Sequence, residues 1–350
     1  MSVTMRRLGV TTTLVGILGA VCCGGGSAPV PAAHKIERTQ VAMGSSLVLT
    51  AWTADDATAE AAFDAVSADF ERLDALMSVW RDGSEIVRLN AAAGEHPVPI
   101  SQDVRDVLLT ARQVSEWTNG TFDITFYALS GLWKFDAQDQ DNTVPDMAEV
   151  RKRLPLINYR DLVVDERAGT AFLTRKGMRV NLGGIGKGFA VDRAREIFRT
   201  HGLRDFMIQA GGDLYVSGKK GDRPWRLGIR DPRGPTDKVF AAIDLSDSTF
   251  STSGDYERFF MKDGRYHHIL DLSVGEPARG CRSVTLVTDR AVIADALAKG
   301  VFILGPSAGM ALIERIHGVE GVIVSDTNEV LVSSGLKNRL MLMTPPTDAP

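Results

Sequence analysis

The stretch Asn181-Leu182-Gly183-Gly184-Ile185-Gly186-Lys187-Gly188-Phe189-Ala190-Val191-Asp192 is a glycine-rich turn that carries a lysine into the start of an amphipathic helix. Such a turn can grip a pyrophosphate. Glycine lets the backbone approach an anion and take positive φ, and the first amides of the helix after Gly188 point outward as donors without an intrahelical partner. Two nucleotide-binding patterns are excluded. A P-loop needs Ser or Thr directly after its lysine and position 188 is Gly, and no Gly-x-Gly-x-x-Gly register fits. The same glycines would also suit an ordinary strand-to-helix turn, so the stretch takes its meaning from what surrounds it.

Outward from it, strand-like runs occur at Leu162 to Asp165 and Met178 to Leu182. Others follow at Phe206 to Gln209, Arg226 to Ile229, Ala241 to Leu245, Val284 to Thr288, Gly321 to Ser325 and Val330 to Ser333. Gln40 to Trp52 reads as a single strand. A helix from about Asp56 carries the stripe Phe63, Val66, Phe70, Leu73 and Met77, and a second, capped by Ser101, aligns Val104, Leu108, Ala111 and Val114. Further helices are expected near Lys187 to His201, Ala291 to Val301 and Ala308 to His317. Blocks of strands with interspersed helices predict an α+β fold with mixed or antiparallel sheets rather than a doubly wound parallel one. No repeat or linker divides residues 34–342, and the tail 343–350, with three prolines after Leu342, is expected to be loose.

At 350 residues, 44% apolar and 24% charged, the chain has the composition of a soluble globular protein. Its net charge of −4 and lack of a dense basic run argue against nucleic acid as a partner. The N-terminus differs. Arg6 and Arg7 precede an uncharged stretch from Leu8 to Ala33 whose apolar part, Val10 to Val21, is short for a bilayer span. Residues 1–33 therefore read as an export leader, which predicts a periplasmic protein. Cys22 or Cys23 could be a lipidated first residue anchoring it to the membrane, although Val21 is a poor residue before such a cysteine. Cleavage within Ser27 to Ala33 would discard both, and the paired arginines also permit twin-arginine export. Either way Cys281 is the other cysteine, so no intramolecular disulfide is expected in the mature protein.

Further segments become readable together. Met43-Gly44, Met77-Ser78-Val79-Trp80, Ser84 to Asn90, Phe122-Asp123-Ile124-Thr125 and Leu132-Trp133-Lys134-Phe135 lie before the glycine-rich turn. Gly211-Gly212-Asp213, Ser251-Thr252-Ser253-Gly254-Asp255-Tyr256-Glu257-Arg258, His268-Ile269-Leu270-Asp271 and Ala294-Asp295-Ala296-Leu297 lie after it. In order and spacing they resemble the ApbE family of flavin transferases over about residues 40–340. The resemblance implies an ApbE-like α+β fold with FAD in a central cleft. It also implies an enzyme that splits the FAD pyrophosphate with Mg²⁺ and moves FMN onto a threonine hydroxyl of another protein, releasing AMP. The acceptor would be a flavoprotein, such as a subunit of a membrane or extracytoplasmic redox complex.

The resemblance assigns roles to particular residues. His268 matches the family's base, and imidazole suits proton acceptance near neutral pH; His267, its neighbour, should face the other way on a strand. The metal would be held by the Gly184 carbonyl and Asp295, in a helical turn that includes Ala298. Lys299 stands where the family has a threonine ligand. Lysine offers no oxygen, and its ammonium competes with a cation for the same negative field. Three outcomes follow: Mg²⁺ with fewer side-chain ligands and more water, which is the expectation adopted; an ammonium replacing part of the metal's charge; or lost catalysis. Lys187 matches the cradle lysine, and Asn181 replaces an aspartate common in the family. Met43 and Trp80 match flavin positions, the indole being suited to stacking. Ala128, Leu129 and Ser130 match a lining backbone stretch, with Tyr127-Ala128 in place of Gly-Pro, and Leu270 is a further lining residue. Asp255 and Tyr256 are expected in the same cleft. Asp271 and Gly275 keep part of the next loop, whereas Leu272-Ser273-Val274 departs from Pro-Arg-Thr. Two alternatives to transfer remain: an FAD-binding protein without transfer, and a metal-dependent FAD pyrophosphatase in which water replaces the threonine.

Overall fold

Residues 32–135 and 142–349 are described by a computed structural model, whose centre is an eight-stranded sheet with strands in sequential order. These are β1 His34–Ala42, β2 Ser45–Thr53, β3 Phe206–Ala210, β4 Asp213–Ser217, β5 Ser248–Gly254, β6 Cys281–Val287, β7 Glu320–Ser325 and β8 Val330–Val332. Every neighbouring pair is antiparallel. The leader expected over 1–33 lies outside the described residues except for its last two positions. Among the described residues no helix is long and apolar enough to cross a membrane.

The expected single strand from Gln40 to Trp52 is instead the hairpin β1–β2. Met43 (φ 48°) and Gly44 (φ 70°) form a two-residue turn with both φ positive, the geometry whose twist matches paired strands. The strand expected at Met178 to Leu182 is absent. The Asn90 side chain binds both the N–H (2.7 Å) and the C=O (2.9 Å) of Val180, and the Asn181 N–H bonds the Ile124 carbonyl at 3.0 Å. Side chains and a loop thus satisfy an extended backbone that needs no strand partner.

The described residues also form seven α-helices: α1 Asp56–Met77, α2 Glu85–Ala91, α3 Gln102–Trp117, α4 Met147–Arg153, α5 Gly186–Thr200, α6 Ala291–Leu304 and α7 Pro306–Arg315. The expected stripe of α1 is buried, and the Ser101 hydroxyl caps α3 by accepting the Val104 N–H. The sheet is covered on both faces. Tyr215 of β4 joins the main core beside Phe206 and Phe198, whereas Leu214 and Val216 join a second core with Trp225, Ile229, Phe240 and Ile243. That second core lies under a smaller sheet of Trp225–Arg230, Val239–Leu245 and Met341–Leu342. A strand buried on both faces loses its alternating pattern, which is why β4 gives no period-two signal.

Helix α6 is buried at every position from Ala291 to Ala298. Its first amides are capped from α5: Asp192 accepts the N–H groups of Ala291 at 2.9 Å and Val292 at 3.0 Å. At the α5–α6 contact, a Cβ on Gly188 would lie 2.3 Å from the Ala291 carbonyl oxygen. Position 188 is glycine because two helices meet there.

The tail differs from the loose segment expected. The Thr347 hydroxyl donates to Asp231 at 2.7 Å, Arg282 donates to the Thr347 carbonyl at 3.1 Å, and Asn328 donates to that of Pro346 at 2.9 Å. Asp231 thus accepts from Thr347, while Arg282 and Asn328 donate to the carbonyls of Thr347 and Pro346.

Candidate active site

The N-terminus of α5, the middle of α6 and the start of β4 meet at a small group of charges. Lys187 Nζ lies 3.1 Å from Asp213 Oδ2 and 3.8 Å from Asp295 Oδ2. Lys299 Nζ donates to the carboxylate of Asp295 and, at 2.8 Å, to its backbone carbonyl. The Gly188 N–H donates to Asp295 Oδ2 at 2.9 Å. Asp295 is fully buried and Asp213 is nearly so, while both lysine side chains are 22% exposed. Carboxylates thus form a floor and ammonium groups a mouth.

Burial pushes the Asp295 carboxyl up, but Lys187, Lys299 and the Gly188 amide together hold it below the usual range. Asp213 is raised, first by burial and then by the Asp295 charge, and Lys187 offsets this only in part. Burial opposes the Lys187 charge as well, yet the two aspartates raise its pKa. The floor therefore holds one firmly ionised carboxylate beside one that ionises less readily.

The glycine-rich turn works differently from the expectation. Its shape is set by Asn181, whose Oδ1 accepts the Gly183 N–H at 2.6 Å. The helix begins at Gly186, and the Gly188 amide is committed to Asp295 rather than offered to an anion. What the turn presents to the mouth is the Lys187 ammonium. Gly184 lies against Lys299: a Cβ there would stand 3.1 Å from its Cδ. Met43 belongs to the same place, its Cε being 3.7 Å from where a Gly186 Cβ would be. Beside Gly211, which also approaches Lys187, the buried hydroxyl oxygen of Ser45 has no hydrogen-bond partner.

His268 follows the short strand Arg265–His267. Its Nδ1 lies 3.3 Å from the Arg258 carbonyl. A carbonyl only accepts, so this contact places the proton on Nδ1 and leaves the Nε2 lone pair free. Burial, helped by His267 and by the nearby Lys299 and Arg258 charges, pushes the imidazole pKa down to about 3, so the ring is neutral at pH 7. His267 is structural. Its Nε2 donates to the Ala278 carbonyl at 2.9 Å, its Nδ1 accepts the Ile269 N–H at 3.3 Å, and its ring meets Phe302 edge-on.

The remaining expected residues lie elsewhere or serve the core. Leu129 and Leu270 are buried in one small apolar cluster with Val150. Arg153 donates to the carbonyls of Ala128 (3.3 Å) and Ser130 (2.9 Å), and Arg179 donates to the Ser130 hydroxyl at 2.8 Å. This wall continues from His268, since Leu270 is two residues beyond it. Trp80, between α1 and α2, is 84% exposed. Ala298 is fully buried and its side chain offers only a methyl group to the core. Asp255 is likewise no open cleft residue: Arg233 grips it through two 2.7 Å bonds, and Tyr256 beside it lies against Arg230. Asp213 and Ser251 were quoted in motifs without a role. They oppose each other across β4 and β5, and the Ser251 hydroxyl bonds the Asp213 carboxylate.

The donor set does not fit Mg²⁺, which needs near-octahedral oxygen coordination. Among the described residues no group of three or more His, Cys, Asp or Glu side chains could hold a metal ion. One oxygen of Asp295 is bonded by the Lys299 ammonium and the other by the Gly188 amide.

Comparison with known proteins bears on the family. The model of the ApbE family matches residues 43–323, from the hairpin turn to β7. The chain belongs to the ApbE family. An ApbE-family relative from Treponema pallidum, named FAD:protein FMN transferase, is 31% identical, the match covering 94% of this chain and 95% of the relative. One of the same name from Klebsiella pneumoniae is 30% identical, over 84% of this chain and 90% of its own. The crystal structure of the ApbE protein from Thermotoga maritima superposes with a TM-score of 0.80 at 30% identity, covering 87% of this chain and 99% of that one. Flavin transferase ApbE from Vibrio cholerae gives 0.77 at 25%, over 88% and 99%. The α+β architecture of this ApbE-family chain, with its antiparallel central sheet, is thus shared with solved members.

Proposed function

We propose that this protein transfers FMN from FAD to a threonine hydroxyl of a partner flavoprotein, releasing AMP. The observation that carries this reading is the meeting, within an ApbE-family fold, of Lys187 and Lys299 at the buried Asp295, with a neutral His268 near enough to Lys299 to feel its charge. Two ammonium groups at one mouth suit a pyrophosphate, and the partnerless Ser45 hydroxyl beside them offers a donor.

In the proposed reaction the acceptor oxygen bonds to the flavin-side phosphorus. The bridging P–O bond to the AMP side breaks, and its electron pair stays on the AMP phosphate. The hydroxyl proton passes to His268 Nε2. An imidazole with a pKa of about 3 is a weak base, but phosphate charge arriving beside it raises its proton affinity. Met43 and Trp80 supply apolar surface for the flavin, Leu129 and Leu270 back its wall from their buried cluster, and Asn181, Ala128 and Ser130 shape the backbone around it. The Mg²⁺ of the expectation has no role in this route. Export to the periplasm, with or without a lipid anchor, would place the enzyme beside extracytoplasmic redox proteins.

The test is to incubate the protein with FAD and a candidate acceptor domain, then follow AMP and covalently bound flavin fluorescence. Labelled acceptor supports transfer. AMP with free FMN points to hydrolysis, and bound, intact FAD points to storage.

A further inference from the structure

We infer that the Lys299 ammonium is the resident cation of this active site, touching the FAD pyrophosphate itself so that cleavage needs no divalent ion. The inference deepens the transfer reading and rests on it.

Four observations lead there. First, Lys299 is anchored on the central buried helix. Its ammonium donates to the carboxylate and, at 2.8 Å, to the backbone carbonyl of Asp295, one helical turn earlier. An ammonium has three N–H donors, and these contacts use two, leaving one for a phosphate oxygen. Second, its stem lies on Gly184, where a Cβ would stand 3.1 Å from Lys299 Cδ and 3.4 Å from Cε. The ammonium therefore sits between the glycine-rich turn and Asp295, the two places from which a cation would draw oxygens.

Third, the local charge is already at least neutralised, with the positive groups in excess. Asp213 and Asp295 face Lys187 and Lys299, with Arg258 nearby and His268 neutral. A divalent ion would enter beside two ammonium groups, with both oxygens of Asp295 already bonded. Fourth, the Lys299 side chain is partly exposed while Asp295 is fully buried, so an incoming anion meets the ammonium first. In the transfer step the third N–H would donate to a phosphate oxygen as charge gathers there, which is the role of a preorganised cation.

The experiment uses the full chain stripped of metal and supplied with an acceptor domain, with three readouts: FAD binding by flavin fluorescence, Mn²⁺ binding by electron paramagnetic resonance, and AMP release matched to acceptor labelling with EDTA or with Mg²⁺. The expected wild-type result is FAD binding, no stoichiometric Mn²⁺ site, and AMP release in EDTA within about twofold of that in Mg²⁺. Lys299→Met should bind FAD and lose about 100-fold in AMP release under both conditions, the scale for removing one transition-state donor. Lys299→Thr, which supplies an oxygen, should gain a Mn²⁺ site and recover AMP release with Mg²⁺. A wild-type Mn²⁺ site abolished by Asp295→Asn, or wild-type AMP release that collapses in EDTA, would overturn the inference. Failure of the wild type to bind FAD, or bound FAD that yields no AMP under either condition, would instead overturn the transfer reading on which it rests.

Discussion

Lys187 Nζ and Asp213 Oδ2 stand 3.1 Å apart, joining the first turn of α5 to the first residue of β4. Asp213 is almost wholly buried, so removing the lysine strands a carboxylate whose other partner is Ser251. Lys187→Met should destabilise the fold by about 3 kcal/mol, the scale for breaking a buried pair from one side. Lys187→Met with Asp213→Asn should recover a good part of that loss while FAD binding stays weak. Urea denaturation and flavin titration of the single and double variants check this, and additive stability losses would show that the pair does not act as one.

Gly188→Ala should be destabilising without any direct role in chemistry. The added methyl group would lie 2.3 Å from the Ala291 carbonyl oxygen and 2.7 Å from Asp295 Cβ, so α5 and α6 must separate. A loss of about 1–3 kcal/mol is expected from such overpacking. Gly44→Ala meets no neighbour, and its cost is the local strain of a Cβ at φ 70°, about 1 kcal/mol.

Trp80 makes the opposite prediction. With 84% of its surface exposed, Trp80→Ala should leave the melting temperature unchanged within about 1 °C, since exposed side chains away from packed contacts contribute little. If the indole stacks on the flavin, FAD affinity should fall by about 1 kcal/mol, the usual worth of an aromatic pair. Unchanged affinity would remove Trp80 from the flavin pocket.

Acid should loosen the tail before it unfolds the core. Burial alone would raise the Asp231 pKa, but the Thr347 hydroxyl, the Arg233 backbone amide and Lys238 outweigh it and hold the group at about 2. Its pKa is lower folded than unfolded, where a value of about 3.9 applies. The contribution is therefore complete above about pH 4 and fades as pH falls towards 2. Amide exchange of residues 343–349 should quicken across that window, and Asp231→Asn should remove the pH dependence.

The parts of this structure that were legible in the sequence were local. The α1 stripe from Phe63 to Met77 and the Ser101 cap of α3 are written in spacings of a few residues, and both formed. The motifs that carry the ApbE resemblance also led to His268, Lys187, Gly184 and Asp295. What stayed hidden was set by contacts distant in the chain. A methionine at positive φ gave no sign that Gln40 to Trp52 folds back on itself. β5, Ser248-Thr249-Phe250-Ser251-Thr252-Ser253-Gly254, is too polar to read as a strand, yet it is largely buried. The pairing of Asp213 with Ser251 is a matter of cross-strand register, and Arg233 claims Asp255 from a separate loop. Gly188 read only as part of an anion-gripping turn because the helix that it must clear lies far along the sequence.

The most direct test of the account is FAD-dependent labelling of an acceptor domain by wild type and by His268→Ala, with flavin fluorescence read after denaturing electrophoresis and FAD binding measured in parallel. The account predicts that both proteins bind FAD, that the wild type leaves flavin covalently on an acceptor threonine with one AMP released per label, and that His268→Ala labels nothing above background. Equal labelling by the two proteins, or AMP released with every flavin left free, would contradict it.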